Sequence, residues 1–231
     1  MTNNILLSYV GSGNHLVRFF IELLSERPTL GWRGAEGDVP ICNAIFEEPV
    51  PFNITQASKP IFRKEHAVPE NSNAVEQLIL IVRNPKEVLV RQVGVNLFTL
   101  EDGILTNQEE LQRHCLNYAS MVKYYVDFKG PKLLIYYEDM ITKKEEFIKQ
   151  LYDFLNPNKP EKLAYALQNA EKLFRMSRTG KNRIWIGPRS DGSVAFYYDK
   201  LKNSAKRNLT ATVNAFIHHP SLQGLLVRYS S

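Results

Sequence analysis

A chain of 231 residues that is 44% hydrophobic and 11% aromatic can bury the core of one large domain, 1–231, which sets aside disordered and low-complexity readings. Its net charge of +5 favours anionic partners, yet the 29 basic residues are scattered among 24 acidic ones with no basic arm, which points to a local anion pocket and away from a nucleic-acid surface. Cys42 and Cys115 have no CxxC or metal-ligand spacing, so neither a disulfide framework nor a zinc site is supported and a reducing compartment fits.

The first strand is predicted over 4–9, too early to leave room for a charged and apolar leader, and no apolar run approaches the roughly 20 residues of a membrane span. A cytosolic protein without membrane partners is the expectation, and the Asn-x-Thr patterns at Asn53 and Asn208 read as chance. A helix follows over 14–25, with Leu16, Phe19, Phe20, Leu23 and Leu24 at helical spacing and Pro28 beyond it. The stretch 28–57 is rich in Pro, Gly and Asn and weakly periodic, as binding or lid segments often are, and is expected to serve an acceptor substrate.

A second strand is predicted over 59–63 and a third over 75–83, the latter apolar throughout, as in a parallel sheet covered on both faces. Pro85 opens a helix, another helix spans about 107–128, a fourth strand lies at 131–139, and a helix runs over 142–155. Further helical patterns are interrupted by a polar, basic loop at 177–193. Strands alternating with helices give the predicted fold class, α/β, a three-layer sandwich with a mostly parallel central sheet.

In such sheets ligands sit beyond the carboxyl ends of the strands, where the turn after Tyr9 lies. Gly11 and Gly13 allow the backbone to curl so that N–H groups and the positive end of a helix converge on an anion, although Gly-Ser-Gly would also serve as a plain tight turn. Asn14 and His15 stand where a magnesium-dependent nucleotide kinase needs Lys and Ser or Thr.

"SYVGSGNHLVRF" resembles the 5′-phosphosulfate loop, Y-P-K/R-S-G-T/N-x-W-L, of the PAPS-dependent sulfotransferases, with Tyr9, Ser12, Gly13 and Asn14 in register. "LILIVRNPKEVLVRQ" resembles their 3′-phosphate segment, R-D/N-P-x-D-x-x-x-S: Arg83, Asn84 and Pro85 match, Glu87 stands for Asp and Arg91 for Ser. From the residues alone Arg83 could instead pair with a helix acid, and Arg91 could face solvent. "SRTGKNRIW" resembles the R-K-G-x-x-G clamp, with Arg178 and Gly180 matched, Thr179 for Lys, and Lys181 and Arg183 keeping the segment cationic. "YYED", 136–139, looks like the family's fourth strand leading into a helix, where Tyr137, Glu138 and Asp139 would tie strand to helix; an acidic metal-binding strand end is the other reading.

The resemblance implies a P-loop NTPase-like fold, PAPS as sulfuryl donor, PAP as product, no metal, and a small-molecule or glycan acceptor carrying a hydroxyl or amine. It places Gly11, Ser12, Gly13, Asn14 and His15 at the 5′-phosphosulfate, and Arg83, Arg91, Arg178, Thr179, Gly180 and Lys181 at the 3′-phosphate. "PIFRKEHAVP" is similar to the family's K-T-H-L-P, which makes His66 the base and Lys64 a substrate- or sulfate-binding residue. Gly11 departs from the family's Lys or Arg, and a lost electrostatic donor costs about a hundredfold in rate or more. His15 is the nearest replacement candidate, hence also a catalytic one, and Arg18 the next. A small-molecule kinase and a silent PAP-binding module are the alternatives.

Overall fold

The two central strands are apolar along their length, Ile5-Leu6-Leu7 in one and Leu78-Ile79-Leu80-Ile81-Val82 in the other, so neither face of their sheet can be left in water. The computed structural model describes residues 2–31, 59–93, 108–179, 198, 201, 203–217 and 222–229, and covers both faces with helices. Strand β1 (Ile5–Ser8) pairs in parallel with β3 (Phe62–Glu65) on one side and β4 (Leu78–Val82) on the other. Beyond them lie β2 (Thr29–Leu30) and β5 (Lys132–Tyr136), giving an all-parallel sheet in the order β2-β3-β1-β4-β5. In this register Leu6 stands between Lys64 and Ile79, and Leu7 between Glu65 and Leu80.

Successive side chains of a strand point to opposite faces, and the core divides accordingly. Leu6, Ile79, Ile81 and Ile135 pack under α1 (Asn14–Ser25), α5 (Lys144–Leu155), α6 (Pro160–Gln168) and α7 (Ala170–Thr179). There Phe20 meets Phe147 edge-to-face at 5.4 Å and Phe174 at 4.9 Å. Ile5, Leu7, Leu80 and Val82 pack under α2 (Pro85–Val93), α3 (Gln108–Asp127), α8 (Asn203–Ile217) and the segment formed by α9 (Gln223–Leu226) with the 3-10 turn Val227–Tyr229. Each fully buried Leu, Ile or Phe contributes about 1.5–3 kcal/mol. The expected three-layer α/β sandwich is therefore the architecture observed.

Several boundaries differ from expectation for local reasons. The second predicted strand lies later, at Phe62–Glu65, following Pro60, which has no N–H to give a ladder. The two-residue β2 falls in the Pro-rich stretch and is pinned by α1, not by its own pattern: Arg18 Nε and Nη2 donate to Thr29 Oγ1 and O at 2.8 and 3.1 Å, while Glu22 Oε1 accepts from the Thr29 N–H at 3.0 Å. The strand predicted to 139 stops at Tyr136 and turns directly into a short helix, α4 (Tyr137–Thr142). Residues 177–179, expected in a loop, form the last turn of α7. No helix among the described residues is long and apolar enough to cross a membrane.

Candidate functional site

From β1 the chain runs toward β3 and β2, whereas from β4 it runs toward β5, so the connections diverge between β1 and β4 and open a crevice at their carboxyl ends. The β1 turn lies at its edge. Tyr9 O accepts the Ser12 N–H at 3.2 Å, Gly11 and Gly13 take φ values of 82° and 93°, and α1 starts at the next residue. These are left-handed conformations that glycine adopts without a steric penalty. A Cβ at Gly13 would stand 2.6 Å from Tyr137 Cδ2, so the backbone there is pressed onto the tyrosine ring.

The first N–H groups of α1 have no intrahelical acceptors and carry the positive end of its dipole. Beside them Ser12 is fully buried, and its Oγ has no hydrogen-bond partner among the described residues. A buried, unsatisfied hydroxyl costs about 1–3 kcal/mol. Asn14 fixes the helix start to the strand, its Nδ2 donating to Ser8 Oγ at 2.8 Å.

The β4 turn is tied to the β1 turn directly. Arg83, buried, donates from Nη1 to Gly11 O at 3.0 Å, lies with Cζ 4.0 Å from the Tyr137 ring centroid, and approaches Glu87 at 3.7 Å. The helix-acid pairing open from the sequence is thus present, together with a contact to the glycine turn. Tyr118 donates its hydroxyl to Arg83 O at 2.7 Å, and Glu138 Oε1 accepts the Asn84 N–H at 2.8 Å. Asn84 caps α2, its Oδ1 accepting from the Lys86 N–H at 3.0 Å, with Pro85 in the first helical position.

The third turn follows β3. His66 Nδ1 donates to Ser8 O at 2.7 Å, which fixes the tautomer: in the neutral ring Nε2 carries the lone pair. Burial pushes His66 down to about 4; the Ser8 carbonyl opposes this, and the Lys64 charge adds to it. A neutral imidazole is therefore anchored to the strand that leads into the glycine turn.

Neither a family model nor the sequence of a curated protein matches the chain. In fold it is similar to retinol dehydratase, in a crystal structure that holds retinol and PAP, with a TM-score of 0.55 and 12% identity over 94% of this chain and 82% of that one. The chain shares with that protein an α/β fold, a parallel sheet between two layers of helices.

Within this fold the predicted residues fall as follows. Gly11, Ser12, Gly13, Asn14 and Arg83 come together at the crevice, and His66 joins them through Ser8. Lys64 precedes His66 by two residues on β3 and is half-buried; His15 is the one exposed residue of α1. Arg18 does not approach the glycine turn, because its guanidinium is buried against Thr29, which removes it as a replacement for the family's lysine. Arg91 lies on α2, and Arg178 and Thr179 end α7, but their side chains are not among those described; Gly180, Lys181 and nearly all of 28–57 lie outside the described residues.

Sequence reasoning missed the hydroxyl of Tyr118, which entered only as one residue of an apolar stripe; periodicity reports which side a residue faces and not where its polar tip reaches. Tyr9 was placed at the turn, but not the reach of its hydroxyl, which is hydrogen-bonded to His114 Nδ1 at 2.6 Å. Glu138 was expected to tie strand to helix. Its carboxylate instead reaches the neighbouring turn and Tyr229, while Asp139 forms a fork with Arg228 at 2.7 and 2.9 Å.

Proposed function

We propose that the chain is a cytosolic sulfotransferase that moves a sulfuryl group from PAPS to a hydroxyl or amine of a small-molecule or glycan acceptor, with His66 as general base. The observation that carries this reading is the 2.7 Å bond from His66 Nδ1 to Ser8 O, which leaves Nε2 as the unprotonated nitrogen of a ring tied to the strand that runs into the glycine turn. What supports the donor is the buried Ser12 Oγ, which lacks a partner among the described residues and sits in the glycine turn at the start of α1. Bound there, PAPS would supply the electrophilic sulfuryl group.

Gly11, Ser12, Gly13, Asn14 and His15 would hold the 5′-phosphosulfate, and Arg83, Arg91 and residues 178–181 the 3′-phosphate, with Lys64 at the sulfate or acceptor. Nε2 of His66 would take the acceptor's proton as the nucleophile attacks in line. Burial keeps the ring neutral in the free protein, and the negative charge that arrives with the donor would oppose burial and make Nε2 more basic. The retinol in the neighbour's structure is a small-molecule alcohol, which agrees with the proposed acceptor class.

Gly11 in place of the family's lysine favours a second reading, a silent PAP-binding module. Calorimetry with PAP and with ATP, each with and without magnesium, followed by transfer assays on wild type and His66→Ala, separates the possibilities. The expected result is magnesium-independent PAP binding in both proteins and transfer in wild type alone. ATP binding that needs magnesium, with no heat from PAP, would indicate a kinase. PAP binding with no transfer to any acceptor in a broad panel would indicate the silent module.

A further inference from the structure

Two adjacent acids of α4 meet two adjacent residues from a distant part of the sequence: Glu138 Oε2 accepts from the Tyr229 hydroxyl at 2.5 Å, and Asp139 accepts from both Nη atoms of Arg228. The two contacts differ in what lies behind them. Asp139 and Arg228 are partly exposed and fasten the 223–229 segment to α4, as does Tyr136, whose hydroxyl donates to Leu225 O at 3.0 Å. Glu138 has a second oxygen, and that oxygen accepts the Asn84 N–H at 2.8 Å.

The Asn84 N–H belongs to the same planar peptide unit as the Arg83 carbonyl, which the buried Tyr118 hydroxyl holds at 2.7 Å. One peptide plane is therefore gripped at its oxygen from α3 and at its nitrogen from α4. Holding that plane fixes ψ of Arg83 and φ of Asn84, and so the local backbone path from which the guanidinium reaches Gly11 O. Tyr229 is buried, and burial holds its phenol far above its ordinary range, so it remains a hydrogen-bond donor to the carboxylate.

We propose that Glu138 is a positioning residue for the nucleotide site, its carboxylate held by Tyr229 so that it clamps the Arg83–Asn84 peptide and fixes the direction in which Arg83 leaves the turn. The consequence for PAP rests on the function proposed above; the clamp itself does not.

The test uses the full chain, first without ligand. In Tyr229→Phe the Asn84 amide should exchange with solvent about tenfold faster relative to the amides of Leu80 and Ile81 in β4, and in Asp139→Asn that ratio should stay at its wild-type value. Calorimetry with PAP should then show a three- to tenfold weaker affinity for Tyr229→Phe and an unchanged one for Asp139→Asn. Glu138→Gln, which keeps an acceptor for Asn84 and a partner for Tyr229, should remain within about twofold of wild type on both readouts. Equal acceleration at Asn84 and in β4, or the same change in Asp139→Asn, would reduce Tyr229 to a fastening of the segment and overturn the clamp. Absence of PAP heat in wild type would overturn the PAP reading alone, and the exchange ratio would still decide the clamp.

Discussion

In the turn after β1 the buried Ser12 hydroxyl has no partner among the described residues, whereas in the turn after β4 both polar atoms of the Arg83–Asn84 peptide are occupied, one by Tyr118 and the other by Glu138. The two turns flank one crevice and are joined by the bond from Arg83 Nη1 to Gly11 O. A buried hydroxyl without a partner costs stability that a ligand could recover, whereas a peptide engaged at both its C=O and its N–H gains rigidity. On the function proposed above, the first turn would receive the donor and the second would brace it, with Arg83 acting across both.

The largest expected effect tests the brace. Arg83→Met leaves the fully buried Glu87 without the cation beside it and removes the link to Gly11, so stability in urea should fall by about 3–5 kcal/mol. Adding Glu87→Gln should restore part of the loss, because it removes the buried charge while keeping an acceptor for the Tyr198 N–H, now 2.9 Å from Glu87 Oε2. An unfolding midpoint for Arg83→Met equal to wild type would show that the β4 turn holds itself without the guanidinium.

The same division explains what was legible in the sequence. Reception is local: Gly11, Ser12, Gly13 and Asn14 are adjacent, and the strand before them and helix after them have clean patterns, so the turn was found from sequence. The parallel sheet was equally readable, because β4 is apolar at every position. Bracing is distant: Glu138 acts on Asn84 across 54 positions and Tyr229 on Glu138 across 91, and no periodicity encodes such pairs. Arg18 shows the opposite error. Nearness in sequence to the glycine turn suggested a part in the site, but α1 is buried almost all round, and its polar side chains had to find partners on the sheet edge.

His66 provides an intermediate effect. Unfolded, it takes up a proton as pH falls through its ordinary value of 6.5; folded, it stays neutral down to about 4. Between those values the unfolded chain binds more protons, so His66 withdraws stability as the solution is acidified, on the order of 3 kcal/mol by pH 4, and has no such effect above 6.5. The difference in unfolding free energy between wild type and His66→Gln should therefore grow in favour of the variant from pH 6.5 to 4. On the proposed chemistry, kcat/KM, which reports the free protein, should keep its acid limb near pH 4, and kcat should show its limb at higher pH. A stability difference that does not change with pH would mean that the ring is not held neutral by burial.

Ser12→Ala should have the smallest effect on stability and tests reception most directly. The hydroxyl has no partner to lose among the described residues, so removing it should leave the unfolding free energy within about 0.5 kcal/mol of wild type or raise it slightly. The same change removes a donor to an anionic ligand, and PAP affinity should fall about tenfold, or roughly 1.4 kcal/mol. Arg83→Met and Ser12→Ala thus separate the turns by the quantity each disturbs, stability for the brace and affinity for the receptor. If Ser12→Ala lowers stability as much as affinity, the hydroxyl is already engaged within the folded chain, and the contrast between the two turns loses its physical basis.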